Sequence, residues 1–219
     1  MGLKLQAAPA GRIGIFGGAF DPPHNAHVAL AEAAVGQLQL DRLHVIPTGH
    51  AWHKARALSP AADRLEMARL AFGELKKVTV DSREINREGP TFTIDTLEAI
   101  QHENPGAQLH LVIGADQYTA FSGWHRFADI LKIAIICIAD RAHSAGLADH
   151  SDAKNLPGAT IRRLILPLMA VSATQVRQLA AQAASTGPAP LEPPESAIAQ
   201  LVPPAIARYI SSHRLYRAN

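Results

Sequence analysis

Short apolar runs alternate with longer amphipathic stretches along this chain. Arg12–Phe16, Leu43–Ile46, Val78–Val80, Leu109–Ile113 and Ile161–Leu166 read as strands, the second ending at Pro47. Ala26–Leu38, Ala61–Phe72 and Ile94–Ile100 read as helices. In Ala61–Phe72 the apolar positions Leu65, Ala68 and Phe72 recur at helical spacing. Ile130–Ile138 contains an uninterrupted apolar strand, the kind buried on both faces of a parallel sheet. Ser172–Ala184 reads as a late helix and Pro203–His213 as a short final one. This βαβ alternation predicts an α/β fold, a doubly wound parallel sheet with helices on both faces.

The segments between these elements are less regular. Ala142–Leu156 is polar and reads as a loop, and Ser185–Pro194 is Pro-rich and reads as an exposed connection. There is no internal repeat and no low-complexity tract. A length of 219 residues suits one domain over 1–219. Residues 1–10 are expected to be flexible, and 185–219 to form a connection and a docking helix.

Composition narrows the class. Hydrophobic residues make up 47% of the chain, enough for a sizeable core. The net charge of +2 agrees with an anionic small ligand. It lacks the clustered basic stripe of a nucleic-acid binder, so no nucleic-acid partner is expected. The single cysteine, Cys137, lies in the run Ile133-Ala-Ile-Ile-Cys-Ile138 and reads as an inert core residue. No signal peptide and no membrane span are expected, and the cytoplasm is the simplest location.

The densest chemistry lies in Ile13-Gly-Ile-Phe-Gly-Gly-Ala-Phe-Asp-Pro-Pro-His-Asn-Ala-His27. A strand runs into Gly17 and Gly18, then Phe20 and an Asp-Pro-Pro turn, then His24 and His27 at the start of a helix. Glycines let backbone N–H groups approach a ligand, and a helix N-terminus attracts phosphate. His24 and His27, three residues apart, share one face of the first turn. The pattern is neither a Walker A loop nor a G-x-G-x-x-G fingerprint. A second constellation is Val171-Ser-Ala-Thr-Gln-Val-Arg177. Ser172 is a good N-cap, Thr174 lies in the first turn, and the Arg177 guanidinium suits bidentate phosphate binding. A third, Glu84–Leu97, turns at Gly89-Pro90, where Thr91 or Thr93 can cap the following helix. A fourth, Ile113–Arg126, places Gly114 and Asp116 at a strand's carboxyl end and Trp124 in a Ser-Gly-Trp-His loop, where it can stack a flat ring. In the fifth, His50-Ala-Trp-His-Lys54, Lys54 offers a mobile cation for phosphates.

The first string resembles the signature G-G-x-F-D-P-x-H-x-G-H of the Rossmann-like nucleotidyltransferase superfamily, with Ala26 in place of its glycine. The second resembles I-S-S-T-x-x-R, with Val171 for Ile and Ala173 for the middle Ser. Glu84–Leu97 resembles the R-x-G-P-[ST]-[YF]-T-x-D-T-L segment of the bacterial nicotinate-nucleotide adenylyltransferases. Ile113–Arg126 resembles their I-G-x-D-x-x-x-x-F-x-x-W-[HK]-x segment. His50–Lys54 stands where that family usually ends in P-P-H-K. The ending Val202–Tyr216 is similar to the family's own, and no chemistry is assigned to it. The resemblance spans Arg12 to Tyr216.

That resemblance implies transfer of AMP from ATP to nicotinate mononucleotide, releasing pyrophosphate, as a step of NAD synthesis. It makes His24, His27 and Arg177 the catalytic set. Gly17, Gly18, Phe20, Lys54, Gly114, Asp116, Ser172 and Thr174 fall to ATP. Thr91, Phe92, Thr93 and Trp124 fall to nicotinate mononucleotide. Mg²⁺ is expected to travel with ATP, with no ligand from protein side chains. A homodimer is compatible with this reading. The rival readings are a metal-dependent hydrolase using Asp21, His24, His27, His50 and His53, and a nucleotide-binding module without catalysis. The hydrolase leaves the Gly-Gly turn unexplained. Retention of both histidines and Arg177 argues against the module.

Overall fold

The computed structural model describes residues 11–49, 57–141, 160–185 and 194–217. Six strands form one sheet: β1 (Arg12–Gly18), β2 (Arg42–Pro47), β3 (Val78–Val80), β4 (Gln108–Gly114), β5 (Ala134–Arg141) and β6 (Ile161–Leu166). Their order is β3-β2-β1-β4-β5-β6, and every neighbouring pair is parallel. The helices are α1 (Asn25–Gln37), α2 (Ala61–Phe72), α3 (Thr93–Glu103), α4 (Ala115–Thr119), α5 (Phe127–Ile133), α6 (Ala173–Ser185), α7 (Pro194–Ile198) and α8 (Pro204–Ser212).

Strand alternation builds two cores. Ile13 and Ile15 of β1 face α3 and α5, joining Ile94, Leu97, Ile100 and Ile130. Phe16 faces the other way, joining Ala31 and Ala34 of α1 and Phe72 of α2. A third cluster lies beyond the sheet, where Met67 of α2 meets Val176 of α6, Ile198 of α7 and Ile206 and Ile210 of α8. The chain leaves β1 toward β2 on one side and returns to β4 on the other. The crevice beyond the carboxyl ends of β1 and β4 is therefore the switch point of the sheet, where such folds place ligands. Gly18 ends β1 and Gly114 ends β4.

The structure moves several expected boundaries. In the apolar run Ile130–Ile138, the residues up to Ile133 close α5 and the strand begins at Ala134. A short apolar run does not distinguish a helix end from a strand. What decides it is Arg126 at φ 52°, whose carbonyl accepts the amides of Asp129 and Ile130 and starts the helix. The one-turn helices α4 and α7 were not foreseen from the pattern. The polar stretch Ala142–Leu156 and most of the Pro-rich connection lie outside the described residues. No helix among the described residues is long and apolar enough to cross a membrane.

Cys137 is buried, and that burial pushes its thiol up to about 12, as expected for an inert core residue. Beside it on β4 lies His110, fully buried, its Nδ1 3.7 Å from the Cys137 sulfur and its Nε2 3.2 Å from Gln108 Oε1. Burial, reinforced by the charges of Arg162 and Arg12, holds the His110 pKa down near 4. In the unfolded chain a histidine takes its proton near 6.5. Between those values the unfolded state binds more protons, so stability present at neutral pH is lost as pH falls from about 6.5 toward 4. Replacing His110 by Gln should shrink the loss of unfolding free energy between pH 7 and pH 5 by about 2 kcal/mol. Urea titrations at the two pH values measure it, and an unchanged difference contradicts the assignment.

Candidate active site

The motif that follows β1 is held from below by aromatic packing. Phe20 has a left-handed backbone (φ 47°), which a bulky residue adopts only under constraint. Its ring sits edge-on to Phe16, at 5.3 Å, and to Phe72, at 5.4 Å. A Cβ on Gly18 would lie 3.0 Å from that ring, so the glycine leaves the room Phe20 fills. Gly17 is exposed, and a Cβ there would meet open space.

His24 is the N-cap residue of α1 and is buried. Its backbone N–H donates to Nδ1 of His27 at 3.2 Å. That bond fixes the tautomer of a neutral His27: Nδ1 is the acceptor, so Nε2 carries the hydrogen and is a donor. The two rings stack, with centroids 3.7 Å apart and planes 21° from parallel. Phe20 packs edge-on against His27 from another side, at 5.3 Å. Burial lowers the His24 pKa to about 4, so its imidazole is neutral at physiological pH. His24 Nδ1 is buried with no hydrogen-bond partner.

Arg64 of α2 is buried and donates to four carbonyls. Nε reaches Ser59 at 3.0 Å, Nη1 reaches Ala19 at 3.1 Å and Thr48 at 2.6 Å, and Nη2 reaches Gly49 at 3.3 Å. The Ala19 end belongs to the motif, and the Thr48–Gly49 end follows β2. Asp21 supplies the charge opposite Arg64 and offsets the burial that lowers the guanidinium pKa. The Asp21 carboxylate accepts from the Ser59 N–H at 3.2 Å and from the Tyr216 hydroxyl at 2.7 Å. Both carboxylate oxygens of Asp21 are thus engaged within the protein. Among the described residues no group of three or more His, Cys, Asp or Glu side chains could hold a metal ion.

The late signature meets the early one here. Ser172 caps α6, its Oγ accepting the Gln175 N–H at 3.2 Å. Arg177 donates from Nη1 to the Asp21 carbonyl at 2.7 Å and from Nη2 to the Thr174 hydroxyl at 3.0 Å. Arg177 thus ties Thr174 to Asp21, three residues before His24. Lys54, with His50 and His53, lies outside the described residues.

The other two segments also come together. The rings of Phe92 and His125 lie 4.2 Å apart, and Trp124 packs on Phe121 at 5.2 Å. Arg126 clasps Glu98 of α3 at 2.7 Å, fixing the Trp124 loop against the helix that Phe92 begins. The expected threonine cap is absent. Phe92, not Thr91 or Thr93, is the N-cap residue of α3, and no side chain bonds there. Thr91 Oγ1 is buried without a partner, and Thr96 Oγ1 donates instead to the buried Glu84, at 2.8 Å. Gly49 joins this region to the Arg64 site, since a Cβ there would collide with the Glu84 carbonyl and touch Thr91. Asp116 lies in the first turn of α4, exposed, where Gly114 leaves space for its carboxylate.

Sequence reasoning missed Arg64, Glu84 and Tyr216. The pattern assigned α2 only an apolar face, and an arginine among its polar positions carried no further signal. Replacing Arg64 by Ala strands buried carbonyls and leaves Asp21 without its counter-charge. The cost should be about 3–5 kcal/mol, with Lys recovering only part because its point charge cannot fork. Urea unfolding curves with an unchanged slope measure it, and a loss below about 1 kcal/mol would contradict the structural role.

Comparison with known proteins agrees with this geometry. The cytidylyltransferase-like family model matches residues 15–179. A protein of Albidiferax ferrireducens named a probable nicotinate-nucleotide adenylyltransferase is 48% identical, over 94% of this chain and 98% of its own. A second, of Methylibium petroleiphilum and bearing the same name, is 38% identical over 97% of this chain and 95% of its own. Among solved structures, the Plasmodium falciparum nicotinic acid mononucleotide adenylyltransferase complexed with NaAD superposes with a TM-score of 0.72. It is 18% identical, covering 94% of this chain and 97% of its own, a likeness of fold. The order of motifs, the parallel sheet and the relatives together place this chain in the nicotinate-nucleotide adenylyltransferase family.

Proposed function

We propose that the chain transfers the AMP group of ATP to nicotinate mononucleotide, giving nicotinate adenine dinucleotide and pyrophosphate in NAD synthesis. A phosphate oxygen of the mononucleotide attacks the α-phosphorus of ATP in line. The bond from that phosphorus to the bridging oxygen of the β-phosphate breaks, and pyrophosphate leaves. Two anions meet and negative charge spreads, so positioning and electrostatic stabilisation supply most of the rate. No protein nucleophile is needed.

The observation that carries this reading is the His24–His27 pair. Its hydrogen bond leaves Nε2–H of a neutral His27 as the donor, in the motif whose Gly17 is exposed. A neutral stacked partner adds no competing charge. In this reading His24 and His27 donate to the phosphates, and His27 acts most strongly in the transition state. Ser172, Thr174 and Arg177 hold the β- and γ-phosphates, and Lys54 assists. Phe20 shapes the cradle, and Gly114 and Asp116 flank the adenosine. Thr91, Phe92, Thr93 and Trp124 enclose the pyridine ring. Mg²⁺ fits as a companion of ATP held by phosphate oxygens and water, because the motif's carboxylate, Asp21, is already bonded to Ser59 and Tyr216. When bound it neutralises part of the triphosphate charge. The chain acts as one catalytic domain over 1–219, in the cytoplasm, with no nucleic-acid or membrane partner, and a homodimer is compatible with this reading.

His27→Ala should lower kcat by about 10²–10⁴-fold, as expected for loss of a charge-stabilising donor. Pyrophosphate release with ATP, Mg²⁺ and nicotinate mononucleotide measures it. Near-normal turnover would contradict the role of His27. In the unmodified protein, ATP binding without pyrophosphate release would point to a binding module. Turnover with phosphopantetheine in place of nicotinate mononucleotide would remove the pyridine-nucleotide reading.

A further inference from the structure

The C-terminal segment carries no expected chemistry, yet its Tyr216 bonds Asp21 of the early motif. After α8 the backbone turns through two left-handed residues, Arg214 at φ 53° and Tyr216 at φ 62°. Such conformations are unfavourable for side chains of this size and persist only where the surroundings hold them. Here the turn brings the Tyr216 hydroxyl to Asp21 Oδ1 at 2.7 Å, across 195 residues of sequence. The carboxylate it meets is almost fully buried, with 2% of Asp21 exposed. Burial and the negative charge of Asp21 both push the tyrosine pKa upward, so the hydroxyl stays protonated and donates.

Asp21 is a relay with three arms. One carboxylate oxygen takes Tyr216, the other takes the Ser59 amide, and the main-chain carbonyl takes Arg177 at 2.7 Å. The carboxylate held by Tyr216 and the carbonyl gripped by Arg177 belong to one residue, so Tyr216 and Arg177 restrain Asp21 from two sides. Asp21 also lies three residues before His24, whose amide sets the His27 tautomer. We propose that Tyr216 is a positioning residue for the adenylyl-transfer site: through Asp21 it fixes the Arg177 guanidinium and the entry to the His24–His27 turn. This inference rests on the assignment of Arg177 and the two histidines to the phosphates.

The same end of the chain contains its own control. Tyr209 of α8 donates to Asp63 Oδ1 of α2 at 2.9 Å. It is a second tyrosine–aspartate bond between the C-terminal region and the body, and its acceptor lies in the first turn of α2. If the C-terminal region acts only through stability, the two bonds should be interchangeable. If Tyr216 positions the site, only its loss should slow the chemistry.

The experiment compares four variants of the full chain by steady-state pyrophosphate release and thermal melting. Tyr216→Phe should lower kcat about tenfold, with KM for nicotinate mononucleotide changed by less than about twofold, as for loss of alignment at the reacting phosphate. Tyr209→Phe should keep kcat within about twofold whatever its melting temperature. Asp21→Asn, which replaces the charged acceptor of the Tyr216 hydroxyl by a weaker neutral one, should lower kcat in the same direction. Arg177→Ala separates this inference from the reading beneath it. If Arg177→Ala is severely impaired while Tyr216→Phe and Asp21→Asn keep wild-type kcat, the positioning role is overturned and the phosphate assignment stands. If Arg177→Ala keeps wild-type kcat, the phosphate assignment itself fails. Equal losses of kcat in Tyr216→Phe and Tyr209→Phe would also overturn the proposal, leaving a stabilising role alone.

Discussion

The buried guanidinium of Arg64 is the interaction on which the site depends. Its donors hold Ala19 in the phosphate motif, Thr48 and Gly49 after β2, and Ser59 before α2. The β1–β2 pairing brings the first two pieces together, and Arg64 ties both to the chain that enters α2. Buried carbonyls need donors, and one planar group with five N–H bonds meets four of them. The charge this brings into the interior is balanced by Asp21. Asp21 in turn gathers Ser59, Tyr216 and Arg177. Through Gly49 the same centre touches Glu84 and Thr91.

This arrangement suits chemistry that depends on holding anions still. A transferred adenylyl group needs donors already aimed at the place where charge develops, since reorienting them during the reaction costs part of the rate. Phe20, packed between Phe16 and Phe72, presses against His27 and sets its ring. The hydrogen bond from His24 sets its tautomer. Burial keeps His24 uncharged, so the two stacked rings do not repel each other. Rigidity below the site and bare backbone at its surface are thus parts of one design.

Much of this was legible in the sequence, for physical reasons. Local periodicity exposed the strands, and the glycines, prolines and histidines after β1 read as a ligand loop only when taken as one string. Ser172 was recognisable as a cap because capping is a local interaction. The parts that were not legible depend on long-range partners. Arg64 looked like an ordinary polar position of an amphipathic helix, because its acceptors are carbonyls 5 to 45 residues away. Tyr216 looked like the end of a docking helix, because its partner lies at the other end of the chain. The expected cap at Thr91 or Thr93 failed for the same reason: packing at Gly49 and the His125 ring places Phe92 at the helix start instead.

The central claim is that the site is assembled before its substrates arrive. Three amides report it directly: Thr48, which donates to the Gly18 carbonyl, Asn25, which donates to the Leu201 carbonyl, and Ser59, which donates to the Asp21 carboxylate. Hydrogen exchange in the ligand-free protein measures how often each bond opens. The account predicts that all three exchange slowly, near the rate of the β4 core amides, and that adding ATP with Mg²⁺ changes them little. Fast exchange that slows only when ATP binds would show a site built by its ligand and would contradict the account.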